Sequence, residues 1–405
     1  MAHVRPTRVL VVRPERAAEV VSPAYDALSP AERLSFRIQH PLSYLNVTQS
    51  PDPDSTHDER AALLEASRQA LTRLLDTDVF TDPGQPIYGI YQLEIGDHIQ
   101  TGLVADIAVS DLVDRTVRPH ENTQNARAEL LASHLRVVGA QSSPIALTYQ
   151  GRDPIAPSLA ELTSGPPFLE LHTDDGLTQR VWLITDLDAV DPIIEALADH
   201  PLYLLDGHHR ARASMVRAAE TGDTDTGILG VIFPTRELRL LEYNRWVSDL
   251  GGYRVETILA DLTVRMGLEP VADPMAPETP GDLLVYAEGQ WYGARLPVDV
   301  ISMSAASALA SLDPVVLQRE VLEPCFAIND PSASDRLHYL PGGHSLAELA
   351  APVDEHGGML FVLAPVRFSD MQLIADAGLV LPPKSTYFDP KVRSGLFVRW
   401  AEDRG

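Results

Sequence analysis

Short apolar runs alternate with longer stretches of helical period along this chain, and that alternation sets the first expectations. RVLVV at 8–12 reads as a strand, and a Pro-punctuated turn then leads into a helix with Ser29 as its cap and Pro30 in its first position. The segment 57–78 is the clearest amphipathic helix, with Leu63, Leu64, Ala70, Leu71 and Leu74 along one side. IYGIYQLEIG and IQTGLVADIAV flank GDH and predict a hairpin. A helix over 126–138 and the strand PIALTYQ follow, then a short helix, DPIIEALAD. Leu202 to Leu205 form a buried strand, Gly207 permits a tight turn, and Ala211, Met215 and Ala218 recur at helical spacing.

The second half continues in the same manner. GILGVIFP and LRLLEYNRWV read as strands, 266–284 as an exposed connection, and DLLVYAEGQWYGARL as a further hairpin. SLDPVVLQREVLEPCF predicts a helix begun by Asp313 or Ser311, and the tail gives strand, helix, strand. No internal repeat or low-complexity tract is present, so the pattern is that of mixed α and β structure.

Composition narrows the function classes. At 405 residues, 45% hydrophobic and 22% charged, the chain can bury a real core in one large domain or two. Its 57 acidic against 32 basic residues, a formal charge of -25, repel polyanions and argue against a nucleic-acid partner. Cys325 is the single cysteine, which excludes an internal disulfide, a cysteine zinc site and an iron–sulfur cluster, and its apolar neighbours predict an inert buried thiol. No apolar run approaches the length of a membrane span or a signal peptide, so no membrane partner and a cytoplasmic location are expected.

Four polar clusters carry the candidate chemistry. In LLDGHHRARAS, residues His208, His209 and Arg210 sit at a helix start, where unpaired N–H groups and the macrodipole favour an anion and arginine adds forked donors. The plain alternative is that Asp206 caps the helix. In RPHENT, His120 and Glu121 lie beside Arg118 and could act as a base pair or as cation ligands, although Gln124 stands where a zincin would need histidine. There the plain alternative is a surface turn with Asn122 or Thr123 capping the next helix. LPPKSTYFDPK brings Lys384, Ser385, Thr386 and Lys391 within eight positions, a clamp for phosphate or carboxylate that lacks the glycine run of a Walker loop. SPAYDALS places Asp26 in a loop after Tyr25.

Together with SSPIALTY and LDPVVLQREVLEP, these segments occur in the order seen in the family catalogued as domain of unknown function 1015, which the chain resembles over nearly its whole length. DGHHR further resembles the DGHTR element of free serine kinases in the ParB/sulfiredoxin superfamily. The resemblance implies an α+β fold: a ParB/sulfiredoxin-like nucleotide-binding core with a mixed sheet, elaborated by N- and C-terminal α/β segments. It implies a core over 1–250 and a C-terminal α+β region over 251–405 that completes the site through PPKSTYF. Carried over by position, it implies that Gly207, His208, His209 and Arg210 hold the phosphates of ATP or ADP. Asp206 and Glu121 would then serve catalysis and Mg2+, His120 would orient the base, and Lys384, Ser385, Thr386, Lys391, Asp26 and Arg118 would bind a small-molecule substrate. His209 stands where the kinase has threonine, and Asn244 where a histidine would be expected before Arg245. The function expected is a magnesium-dependent phosphotransferase acting on a small hydroxyl compound, with free L-serine as lead candidate. The alternatives are a non-catalytic nucleotide-binding switch and a metal-dependent phosphatase or hydrolase built on His120, Glu121, His208 and His209. A homo-oligomer is left open.

Overall fold

A mixed nine-stranded sheet dominates the first of two units into which the chain divides. A computed structural model describes residues 2–49, 55–149, 155–223, 225–297 and 304–401. One unit is formed by Met1–Pro119, Thr123–Leu238 and Pro390–Gly405, the other by His120–Asn122 and Arg239–Asp389.

In the first unit the predicted hairpin is present as strands Tyr88–Ile95 and His98–Ala108, antiparallel to each other. Gly227–Phe233 runs antiparallel to His98–Ala108 and parallel to Ile145–Tyr149, and Leu202–Asp206 lies between Ile145–Tyr149 and the parallel edge strand Val117–Pro119. Central strands are apolar on both faces, and Ile90, Leu103, Ile107, Leu147, Leu204 and Ile232 meet in one core. A smaller sheet joins the ends of the chain, because Phe397–Trp400 pairs with both Val9–Val12 and Ala140–Gln141. Buried Asp106 lies 2.8 Å from the Arg5 guanidinium and 2.7 Å from that of Arg399, tying the first and last strands to the large sheet.

Helix starts follow local chemistry closely. Ser29 caps Pro30–Gln39 through a reciprocal box with Glu32, and Thr56 with Glu59 does the same for His57–Asp76. Leu64, Ala70, Leu71 and Leu74 are buried on the latter helix as its period predicts, whereas Leu63 sits at the margin of that face, half-buried, with Ser67 inside it.

The second unit is built on an antiparallel sheet of order Glu269–Pro270, Gln290–Arg295, Asp282–Ala287, Met359–Leu363, Tyr243–Val247, Leu337–Pro341. Its central strand MLFVL is buried throughout, and the period of two sorts it: Met359, Phe361 and Leu363 enter one cluster, Leu360 and Val362 the other. Helix Val255–Met266 contributes Ile258 and Leu262 to the first cluster, and Leu346–His356 contributes Leu349, Ala350 and Val353 to the second.

Two expectations are corrected here. LRLLEYNRWV forms two strands in different sheets, because Glu242 leaves the ladder and its carbonyl accepts from Gly342 N–H; Arg239–Leu241 pairs instead with Tyr387–Asp389. The helix begins at Asp313, one of its two expected starts, with Leu312 at its cap position. The Asp313 carboxylate accepts from Gly281 N–H at 2.9 and 3.0 Å. That helix is also broken: Asp313–Leu317 widens to a π turn over Gln318–Leu322 before Glu323–Phe326, since Pro324 has no N–H to donate to the preceding turn. Among the described residues no helix is long and apolar enough to cross a membrane.

Candidate functional site

The strand Leu202–Asp206 delivers the DGHHR residues. Four of its residues are buried, and a bulge between Leu204 and Asp206 shifts the register against Ile145–Tyr149, so the strand re-aims just before the carboxylate. Gly207 then turns the chain at φ 93° and ψ 24° into the helix His208–Thr221. A Cβ at Gly207 would lie 2.8 Å from Ile145 Cγ2 and 3.0 Å from an Arg210 guanidinium nitrogen, so both backbone and space demand glycine. The cap position is Gly207 itself, with no side-chain cap; Asp206 is not the cap. The first N–H groups of this 14-residue helix therefore end a strand–glycine–helix turn of the kind that receives anions.

Asp206 is instead clasped by two cations. Lys391 Nζ lies 3.2 Å from its Oδ1 and Arg210 Nη2 2.6 Å from its Oδ2, while Arg210 Nη1 donates to the Pro144 carbonyl at 2.6 Å. Burial alone would raise the Asp206 carboxyl, but Lys391 and then Arg210 hold it well below the usual carboxylate range. The Lys391 side chain is only 9% exposed, because the segment carrying it is pinned along its length. Gln100 Nε2 donates to Pro390 O at 3.0 Å, Arg393 pairs with Asp175 at 2.5 Å, Ser394 meets Ser143 through their hydroxyls, and Gly395 N–H donates to Ser142 Oγ at 2.7 Å. Sequence reading missed Asp175, Arg393, Ser142 and Gln100; only Arg393 had a local signal, the polar run KVRS beside a glycine.

The neighbours of this turn are also placed. His208 is buried, and His209 Nε2 accepts from Gln124 N–H at 3.3 Å, which joins the starts of two helices, His208–Thr221 and Asn125–Val138. Gln124, and neither Asn122 nor Thr123, occupies the cap position of the second. Arg118 stands opposite Tyr203 in the parallel register, its guanidinium 5.9 Å from the tyrosine ring centroid. Asp26 falls in the turn Tyr25–Ala27, and its side chain lies outside the described residues.

The remaining candidates gather in the second unit. His120 is buried, with Nε2 3.0 Å from Thr386 Oγ1, and its carbonyl accepts from Leu381 N–H at 2.8 Å while Glu121 bridges to Leu381. Ser385 Oγ donates to Pro382 O at 2.8 Å, closing the turn around Lys384. Asn244 is buried as a sheet residue: its Oδ1 accepts from Leu363 N–H at 3.2 Å and its Nδ2 donates to Glu242 at 3.3 Å. The structure thus brings Asp206, Gly207, Arg210 and Lys391 together in one unit, and His120, Glu121, Lys384, Ser385 and Thr386 together in the other.

A protein-family model described as Protein of unknown function (DUF1015) matches residues 4–315. The chain belongs to that family. No curated protein matches the sequence. Among solved structures, the DUF1015 chain is similar to a free serine kinase mutant in complex with AMP, with a TM-score of 0.36 and 11% identity over 73% of this chain and 91% of that one. A mutant of that name in complex with ADP gives 0.35 and 12% over 75% and 94%. A C-terminally truncated SbnI from Staphylococcus aureus gives 0.35 and 11% over 75% and 90%.

Of the groups the sequence implied, a nucleotide's phosphates fit the turn: it offers a glycine with no room for a side chain, a helix start and two cations. A metal fits less directly. Among the described residues no group of three or more His, Cys, Asp or Glu gathers to hold one, and both Asp206 oxygens already face cations. Magnesium would then be held chiefly by the phosphates it accompanies.

Proposed function

We propose that this DUF1015 protein is a phosphotransferase that uses ATP or ADP to phosphorylate the hydroxyl of a small metabolite, with free L-serine or a serine-like compound as lead acceptor. One observation carries the reading: a turn at a helix start that only glycine fits, flanked by Arg210 and Lys391, with Asp206 between the two cations. The acceptor is proposed from the likeness of DGHHR to the serine kinase element.

When bound, the nucleotide supplies the phosphoryl group. In this reading the Gly207–Arg210 backbone and the Arg210 and Lys391 cations bind the phosphates and stabilise charge as it moves between them. Asp206 fixes those cations. A carboxyl held so far below the usual range is a weak base, so its part is orientation and electrostatic balance. Glu121, with His120, is the proposed proton acceptor.

Phosphorus NMR of the purified protein with magnesium and ATP or ADP tests this, with and without a pool of hydroxylated metabolites that includes L-serine. The expected result is a new phosphomonoester resonance that needs the pool and is lost in Lys391→Met. Phosphate released without any acceptor would replace the reading with a hydrolase. An unchanged spectrum, with nucleotide binding intact, would replace it with a switch. Equal turnover in Glu121→Gln would remove Glu121 as the base.

A further inference from the structure

The second unit contains a cation buried without a counter-charge. Arg245 is 4% exposed, and its partners are neutral: Nη1 donates to Tyr243 O at 2.8 Å, Nη2 donates to Lys384 O at 2.9 Å, and Cζ lies 4.5 Å from the Tyr339 ring centroid. Burial draws its guanidinium down to about 10, and among the described residues no carboxylate pairs with it. A charge withdrawn from water with only carbonyls and a ring around it is unfavourable until an anion answers it.

A second observation points to the same place. Lys384, whose carbonyl Arg245 holds, has φ 58°, in the left-handed region that side chains other than glycine and asparagine seldom enter. Its side chain is exposed, with Nζ 5.0 Å from the Tyr243 ring centroid, and it too pairs with no carboxylate among the described residues. Pro382, Ser385 and Thr386 fix the turn on either side, Thr386 against buried His120. A turn needing only this backbone shape would be served without strain by glycine. A lysine kept there presents its ammonium in one fixed direction, which is how strained backbone is put to use at binding sites.

We propose that the Lys384 turn recognises a small anion, a carboxylate or a phosphate monoester, with Lys384 as its ligand and Arg245 as the positioning residue. Arg245 holds the turn by the Lys384 carbonyl and adds a fixed positive potential that no counter-ion damps. The bound anion supplies the missing negative charge. Because binding needs no turnover, the proposal stands or falls separately from the phosphotransferase reading.

The test uses the full chain, with inorganic phosphate followed by phosphorus line width and labelled acetate by carbon line width. Lys384→Gly and Lys384→Ala are expected to weaken at least one of these anions by about tenfold or more, with Lys384→Arg restoring it. Lys384→Gly should melt at or above the temperature of the unsubstituted chain, since glycine accepts the dihedral angle. Loss of acetate assigns the site to carboxylates, and loss of phosphate to phosphate monoesters. Arg245→Lys keeps the charge but cannot span two carbonyls, and should weaken the same anion while having no further effect in a Lys384→Gly background. Gly207→Ala separates the two units' contributions, because it should leave the Lys384-dependent component untouched. If Lys384→Gly binds both anions as the unsubstituted chain does, the site is overturned; Lys384→Gly also keeps the site testable should Arg245→Lys unfold. An Arg245→Lys effect that persists without Lys384 overturns the positioning role.

Discussion

Replacing Gly207 by alanine is the sharpest test of the turn on which the candidate site depends. At φ 93° an L residue is strained, and the new Cβ would sit 2.8 Å from Ile145 Cγ2 and 3.0 Å from the Arg210 guanidinium. The backbone term is about 1–3 kcal/mol. Ile145 is fully buried and cannot retreat, so the crowding adds about 1–2 kcal/mol more, near the lower end of overpacking penalties. A total of about 2–5 kcal/mol corresponds to a midpoint lowered by roughly 5–15 °C in a unit of this size. Arg210 is the softer neighbour, and its displacement would loosen the clasp on Asp206. Thermal unfolding followed by circular dichroism reads the first effect, and nucleotide titration by calorimetry reads the second. Gly207→Ala that melts with the unsubstituted chain and binds nucleotide equally would refute the reasoning; Gly207→Asn eases only the backbone term and keeps the Cβ crowding, so it too should melt below the unsubstituted chain.

Other predictions rest on single groups. Asp206→Ala leaves Lys391 and Arg210 without their shared partner and is expected to cost about 3 kcal/mol in denaturant unfolding. Since the Asp206 carboxyl is held below its ordinary value, its contribution is full above the unfolded value near 4 and fades as pH falls beneath it; Asp206→Asn should flatten that acid limb. Asp313 behaves oppositely: burial raises it to about 6, so between roughly pH 4 and 6 the folded state binds the extra proton and stability declines as pH rises through that window. The span amounts to about 3 kcal/mol, and Asp313→Asn should abolish the slope in pH-dependent unfolding. Cys325 is buried beside Asp261 at 3.3 Å with its thiol pushed up to about 12, so thiol reagents at pH 8 should leave the native protein unlabelled and modify it fully in denaturant.

What the sequence made legible was local. The cap at Ser29, the Gly207 turn and the period of His57–Asp76 are each written within a few residues, and the structure repeats them. Among the helices that escaped notice, two did so for local reasons too: Val255–Met266 buries only Ile258 and Leu262, and Leu346–His356 carries Pro352 in its interior. The strand expected over LRLLEYNRWV failed because apolar spacing cannot show which side of Glu242 belongs to which sheet. The site was legible as residue types and not as pairings. DGHHR announced a phosphate-like turn, but nothing near it indicates that Asp206 answers to Lys391, or that Arg245 is sealed among carbonyls. Lys391 and the Lys384 carbonyl lie 185 and 139 residues from the groups they meet, and only the folded sheets bring them close.

The pairing of Phe397–Trp400 with Val9–Val12 has a bearing on how the protein comes into being. During synthesis, the Gly207 turn emerges long before the lysine that neutralises its carboxylate, and Arg399 reaches Asp106 later still. A nascent or prematurely terminated chain lacking residues 391–400 retains the whole strand–turn–helix with Arg210 on Asp206, yet lacks the second cation, Lys391, and the strand that closes the small sheet. The second cation at the turn therefore arrives late, and the same long-range closure predicts slow folding. One late segment thus closes two structures at once: without it Asp206 keeps Arg210 alone and the small sheet loses Phe397–Trp400, so a chain ending before residue 391 should be less stable than the full one.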